Sequence, residues 1–182
     1  MKATRTRLSG PILIEPAVFA DDRGFFFESF RADRYRETGI DADFVQDNHS
    51  RSTRGTIRAL HFQHHPGQPK LVRVARGRVW DVVVDIRRRS PTFGEWESFE
   101  LDDERNVQLY VPVGFAHGFC VLSGEADFVY KVGSYYDPAV ESGIAWDDPA
   151  LAIPWPVTEP NVSPRDRANP TLNQIRDALP EW

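Results

Sequence analysis

The stretch "GTIRALHFQHH", residues 55–65, carries three of the five histidines in the chain, with Arg58 three residues before the first of them and no carboxylate. Three kinds of chemistry suit such a set. It could ligate a metal, transfer a proton through an imidazole beside an anion-binding guanidinium, or be the ordinary content of a strand and its following loop. A second motif, "PVGFAHGF", places His117 three residues after a Pro-Val-Gly turn. Metal ligation is poorly served: no acid stands between residues 55 and 78, there is no His-x-His pair, and one histidine from each segment is a thin coordination set. Cys120 is the only cysteine, which excludes an intrachain disulfide and a multi-thiolate zinc site; inside the apolar run "FCVL" it reads as a small core residue. An imidazole beside an Arg-rich anion site, with a Tyr and an Asp elsewhere to assist it, suits acid–base work near neutral pH.

The charge distribution agrees with a small anionic ligand. The 182 residues sum to −5, yet residues 51–89 hold ten Lys/Arg against two acids, Asp81 and Asp85, a local +8 that leaves −13 for the rest. A polynucleotide fits that asymmetry less well, so no nucleic-acid partner is expected. Arg87, Arg88 and Arg89 read as solvated guards of a sheet edge. No run approaches the roughly 20 apolar residues of a membrane span, and the first residues lack an apolar leader with a cleavage site. A cytoplasmic address without membrane attachment is therefore expected. The length suits a single domain over 1–182.

These side chains need rigid elements to hold them. Short β-branched runs with turn signals every 8–12 residues or so predict an all-β sandwich or barrel. "LVRVA" and "VWDVVVDI" around Arg-Gly-Arg predict a hairpin, and "VQLYVPVGFAHGFCVLSGEADFVYKV" three more strands. Helices are predicted within residues 30–39, ended by Gly39, and within 170–180, between two prolines. The tail after Asp137, rich in Pro, Asp and Trp, is expected to wrap the barrel rather than join a sheet. Alternation puts Asp81, Val83 and Asp85 on one face and Val82 and Val84 on the other, so a carboxylate-bearing face meets either solvent or a polar barrel interior. It also groups Ile57, Ala59 and His61 opposite Arg58. If Arg58 and His61 serve one site, the strand must twist, bulge or end between them.

The ordered blocks "VFADDRGFFFESF", "FVQDNHSRS", "RALHFQ", "PKLVRV", "WDVVVDIRRRSPTFGEW", "YVPVGFAHGF", "FVYKVGSYYDPAVESGIAWDDP" and "NVSPRDR" resemble the dTDP-4-dehydrorhamnose 3,5-epimerase family nearly end to end. That resemblance implies a cupin-type jelly-roll barrel, a double-stranded β-helix with a few short peripheral helices. It also implies a homodimer, without metal or organic cofactor, that isomerises a 4-keto-6-deoxy sugar attached to dTDP. By the family's motifs His61 resembles the base, Asp166 the carboxylate that orients it, Lys70 the cation facing a developing oxyanion, and Tyr130 the acid on the opposite face. Arg23, Glu28, Gln46, Asp47, Asn48, Arg58, His117, Glu141 and Arg165 resemble positions that hold nucleotide and sugar. Phe26 resembles an aromatic offered to the thymine from the neighbouring subunit.

Two positions depart from the family pattern. Ala59 stands where glycine is usual, and its methyl is expected close to the sugar; Arg165 stands where lysine is usual, with a different hydrogen-bond geometry. The expected reaction is epimerisation of dTDP-4-dehydro-6-deoxy-D-glucose at C3 and C5. The alternatives are a 3- or 5-mono-epimerase of natural-product deoxysugar biosynthesis and a barrel that binds sugar nucleotides without catalysis. The joint presence of His61, Lys70, Tyr130 and Asp166 disfavours the last, because binding alone needs no acid–base pair.

Overall fold

A computed structural model describes residues 1–182. The chain opens with β1 (Lys2–Arg5), β2 (Ile12–Glu15) and a hairpin of β3 (Val18–Asp21) and β4 (Gly24–Phe27), then turns through α1 (Ala32–Glu37). The barrel strands follow as β5 (Gln46–Thr53), β6 (Thr56–Gln63), β7 (Lys70–Arg76), β8 (Arg78–Asp85), β9 (Trp96–Asp102), β10 (Gln108–Val111), β11 (Phe115–Val121) and β12 (Glu125–Val132). The tail adds β13 (Glu141–Gly143), β14 (Asn161–Val162) and two one-turn helices, α2 (Pro164–Arg167) and α3 (Leu172–Ile175). No helix is long and apolar enough to cross a membrane.

Hydrogen bonding sorts the strands into two sheets, ordered β1-β2-β10-β7-β12-β5 and β13-β6-β11-β8-β9, with the β3–β4 hairpin apart. From β5 to β8, and again from β9 to β12, successive strands alternate between the sheets. This is the cupin-type double-stranded β-helix. The interior between the sheets is filled by Val72, Val74, Val83, Leu109, Phe119 and Phe128 among others, each nearly or fully buried. Each such side chain contributes about 1.5–3 kcal/mol by leaving water. The outer face of the second sheet is covered by the tail through Ile144, Leu151, Leu172 and Leu179. Val82, Val83 and Val84 are therefore all buried, which accounts for the unbroken valine run in β8. The outer face of the first sheet is covered in part by Tyr35 of α1 and by Ile40.

Two sequence expectations give way. The β7–β8 hairpin does not form, since the two strands lie in different sheets. Between them Gly77 adopts φ +82°, and a Cβ there would stand 2.2 Å from the Glu125 carbonyl oxygen. Only glycine turns that corner against the start of β12. A hairpin and a corner carry the same alternation within each strand, so the residue pattern does not separate them. The tail wraps the barrel but also enters a sheet, β13 pairing antiparallel and β14 parallel with β6. The helices fall where the sequence predicts them, α1 ending before Gly39 at φ +89° and α3 starting from a Thr171–Gln174 capping box.

The strand that carries the histidine cluster is bulged. His117 and Phe119 on β11, two residues apart, face His61 and Arg58 on β6, three apart. Ala59 and Leu60 consequently both enter the outer core under the tail, and Arg58 and His61 both turn inward. The simple alternation that grouped His61 with Ile57 and Ala59 fails at this bulge. The Ala59–Leu60 peptide in it is cis.

Gly118 abuts the bulge: a Cβ there would come within 2.5 Å of the Ala59 methyl and 2.8 Å of the Arg58 carbonyl oxygen. Gly118→Ala is expected to lower unfolding free energy by about 1–3 kcal/mol, as overpacking does, read from denaturant midpoints. Adding Ala59→Gly removes the nearer clash and should restore part of the loss. Undiminished stability in Gly118→Ala would show that the bulge yields without strain.

Candidate active site

Between the sheets the apolar interior gives way to a cavity of about 200 Å³. Arg58 and His61 enter it from β6, Lys70 from β7, His117 from β11, Tyr130 from β12 and Glu141 from β13. Ser50, Phe119 and Phe128 complete the wall. The two phenylalanines stack with ring centroids 4.2 Å apart, forming one apolar patch in a surface that is otherwise polar.

His61 is held from behind. Its Nε2 lies 2.8 Å from Asp166 Oδ1, and the Ala59 N–H donates to Asp166 Oδ2 at 3.3 Å. Asp166 sits in the first turn of α2, where Ser163 caps the helix by accepting from the Asp166 N–H at 3.0 Å. Burial alone would raise the Asp166 carboxyl, but hydrogen bonds from His61, Ala59 and Ser163 outweigh it and hold the group below the usual carboxylate range. The His61 side chain keeps 25% of its surface open and Asp166 only 6%, so the imidazole meets a ligand and the carboxylate supports it.

Across the cavity the charges are arranged in opposition. Burial pushes the Lys70 ammonium down to about 8, against the pull of Glu141 and Asp81. Burial also raises the Tyr130 hydroxyl, with the Glu141 charge adding to it, so Tyr130 keeps its proton at neutral pH. Asp81 is fully buried, with its Oδ2 2.9 Å from His117 Nε2. Its carboxyl is raised by burial, while His117 and Lys70 act in the other direction. The carboxylate face of β8 is therefore buried rather than solvated, Asp81 meeting His117 beside the cavity and Asp85 held by Arg87, Ser90 and Thr92 of the following loop. Glu141 is bridged by Arg165 at the rim. Cys120 is buried in the outer core, its thiol pushed up to about 11 by burial, in keeping with a packing role. No three His, Cys, Asp or Glu side chains cluster as a metal would require.

The other sequence-predicted residues divide. Asn48 lies opposite Tyr130 in the β5–β12 pairing and so shares its inward face. Gln46 donates to Asn48 Oδ1 at 2.8 Å and accepts from the Tyr136 N–H at 3.1 Å. Asp47 points the other way and pairs with Lys131 at 2.8 Å on the outer face, a departure from the expected ligand contact that follows from the two-residue period of β5. Arg23 pairs with Asp21, and Glu28 with Arg34, both away from the cavity. Phe26 is 71% exposed on the β3–β4 hairpin. One chain does not bring these three to its own cavity. Ala59 also departs from expectation: its methyl packs behind the site toward Gly118, not into the sugar space. Sequence reasoning passed over Ser50, Phe119 and Phe128; Ser50 was within reach, two residues from Asn48 on the same face.

A family model described as dTDP-4-dehydrorhamnose 3,5-epimerase matches residues 5–174. A protein of that name from Pseudomonas aeruginosa is 52% identical over 169 residues, covering 92% of this chain and 93% of its own. Another from Shigella flexneri is 50% identical over 168 residues, covering 91% and 93%. The crystal structure of a dTDP-6-deoxy-D-glucose-3,5-epimerase, RmlC, from Legionella pneumophila in complex with dTDP-4-keto-L-rhamnose superposes with a TM-score of 0.96 at 49% identity, covering 100% of this chain and 98% of that one.

The Lys70 ammonium is expected to lose its proton as pH rises through about 8, read from the Lys70 side-chain carbon shifts by NMR. Because the Glu141 charge raises that value, Glu141→Gln should move the midpoint to lower pH. A Lys70 that stays protonated to pH 10 or so, near the value for free lysine, would show that its burial is not effective.

Proposed function

The chain belongs to the dTDP-4-dehydrorhamnose 3,5-epimerase family, and from that premise we propose that it epimerises dTDP-4-dehydro-6-deoxy-D-glucose at C3 and C5 to dTDP-4-dehydro-L-rhamnose. Both carbons lie alpha to the C4 ketone, so loss of either proton gives an enolate whose charge rests on the ketone oxygen. Inversion then needs a base on one face of the ring and an acid on the other. The observation that carries this reading is that His61 and Tyr130 enter one cavity from opposite sheets. A sugar ring lying between the sheets meets an imidazole on one side and a phenol on the other.

In this reading His61 is the base. With its Nε2 proton directed at Asp166, the Nδ1 lone pair is left for the substrate, and the carboxylate steadies the imidazolium that forms. Lys70 faces the enolate oxygen, where a positioned cation in a water-poor site is most effective. Tyr130 returns a proton to the far face. The cavity of about 200 Å³ suits the sugar alone, being smaller than the roughly 300–1,000 Å³ of sites for drug-sized ligands. The nucleotide then lies along the mouth, within reach of Arg58, Gln46, Asn48, Glu141 and Arg165. None of these steps uses a metal or organic cofactor.

The pair of neighbouring subunits in a homodimer would complete the mouth. Phe19, Phe25 and Phe26 are 67%, 59% and 71% exposed on a two-stranded hairpin, an apolar surface that a second copy would cover. Phe26 would then meet the thymine, and Arg23 and Glu28 would sit beside it. Because the Ala59 methyl points away from the cavity, it gives no reason to confine the reaction to one carbon.

Proton NMR of the substrate in heavy water tests the roles. His61→Ala is expected to slow deuterium uptake at both carbons by about 10³-fold, within the range of lost general-base catalysis. Tyr130→Phe removes only a hydroxyl, so deuterium should enter with configuration retained, faster than any epimer appears. Full turnover in His61→Ala, or equal loss of exchange and inversion in Tyr130→Phe, contradicts the assignment.

A further inference from the structure

A second histidine–carboxylate pair stands beside the first. His117 is the direct cross-strand partner of His61, and both rings line the cavity. His117 Nε2 lies 3.0 and 2.9 Å from the two oxygens of Asp81, whose side chain is fully buried. Both Asp81 oxygens lie within 3.0 Å of Nε2, the arrangement of a carboxylate sharing one N–H, and His117 and Lys70 both favour its ionised form; with the proton on Nε2, Nδ1 is left as the acceptor of the ring. Facing that ring are His61 and Arg58 from β6, Lys70 from β7, Asp81 from β8, Tyr130 from β12 and Glu141 from β13. Arg58 and Lys70 can only donate, and Glu141 is engaged by Arg165. With His61 committed to the carbon-bound proton, His117 Nδ1 joins the hydroxyls of Ser50 and Tyr130 as an acceptor in this cavity, and of these it is the one directly across the strand pair from His61.

The two reacting carbons differ in what they carry, a hydroxyl at C3 and a methyl at C5. Side chains directly opposite across an antiparallel pair stand about 4.5–5.5 Å apart at Cβ, close enough for one to meet a carbon and the other its substituent. When C3 faces His61, its hydroxyl can reach His117. When C5 faces His61, a methyl takes that place and meets the Phe119–Phe128 patch instead.

We propose that the His117–Asp81 pair governs the C3 step: Asp81 is a positioning residue that fixes the His117 tautomer, and His117 Nδ1 accepts the C3 hydroxyl while His61 removes the C3 proton. The proposal rests on the epimerase reading of this cavity. It makes the two steps separable, one dependent on a hydrogen bond and the other on an apolar contact.

Deuterium uptake at C3 and at C5 of the substrate, followed by NMR in heavy water, compares the wild type with Asp81→Asn. An amide offers N–H as readily as C=O to Nε2 and so frees the tautomer. Asp81 also supports the Lys70 charge that both steps use, so uptake at either carbon can fall, but uptake at C3 should fall roughly 10–100-fold further than uptake at C5, as when the hydrogen-bonding partner of a functional histidine is lost. Equal slowing at both carbons, or none at either, overturns the proposal. Absence of exchange at both carbons in the wild type instead removes the epimerase reading beneath it. A second measurement does not depend on how Asp81→Asn folds. Nitrogen-15 spectra of the wild type, with the His117 signals identified by their loss in His117→Asn, should show a bare Nδ1 and a protonated Nε2; the reverse tautomer overturns the assignment.

Discussion

The hydrogen bond between His61 and Asp166 joins a central barrel strand to a helical turn 105 residues later, at 2.8 Å. Much of the fold is arranged so that it can form. His61 must turn inward, which the bulge in β6 accomplishes. Asp166 must return to the back of that strand, which requires the tail to cross the outer face of the second sheet. Ordering so long a return is opposed by chain entropy, which grows slowly with length but must be offset by burial along the way. Ile144, Leu151, Leu172 and Leu179 supply that burial, and β13 and β14 both fasten the tail to β6 itself.

The cavity concentrates charge where water is scarce. Arg58 and Lys70 are opposed by Asp81 and Glu141, and each acid has a basic partner within hydrogen-bond reach. Such compensation is what permits ionised groups inside a barrel at all, since an unpaired buried charge costs far more than a paired one. The balance is incomplete at Lys70, whose ammonium has only the His61 carbonyl oxygen at 3.5 Å. Burial holds its value down, and the charges of Glu141 and Asp81 offset only part of that. A cation kept short of partners is well placed to attract charge that develops on a ligand oxygen.

The two-sheet architecture also divides the work. One sheet carries His61 and His117 on neighbouring strands, and the other carries Lys70 and Tyr130. A ring lying between them would meet side chains on both faces at once, which a site built on one sheet could not offer. The Ala59 departure leaves this arrangement intact, because the same bulge that turns His61 inward turns the Ala59 methyl outward against Gly118.

The β-branched runs and turn spacing were enough for an all-β barrel with peripheral helices, and the helix ended by Gly39 and the one between Pro170 and Pro180 form where expected because capping and chain-ending are local effects. The family motifs named His61, Lys70, Tyr130, Asp166 and Glu141, and these do meet, the first three and Glu141 in the cavity and Asp166 behind His61. Tertiary structure alone decided which faces those residues occupy. The β7–β8 connection became a corner between sheets because Gly77 packs on β12, a contact with no trace in either strand's pattern. Arg58 and His61 share a face because β6 gains one residue against β11, and a register shift between two strands is not written in either one. Arg23, Phe26 and Glu28 lie away from the cavity of their own chain, and Asp47 faces outward because its neighbours Gln46 and Asn48 face in.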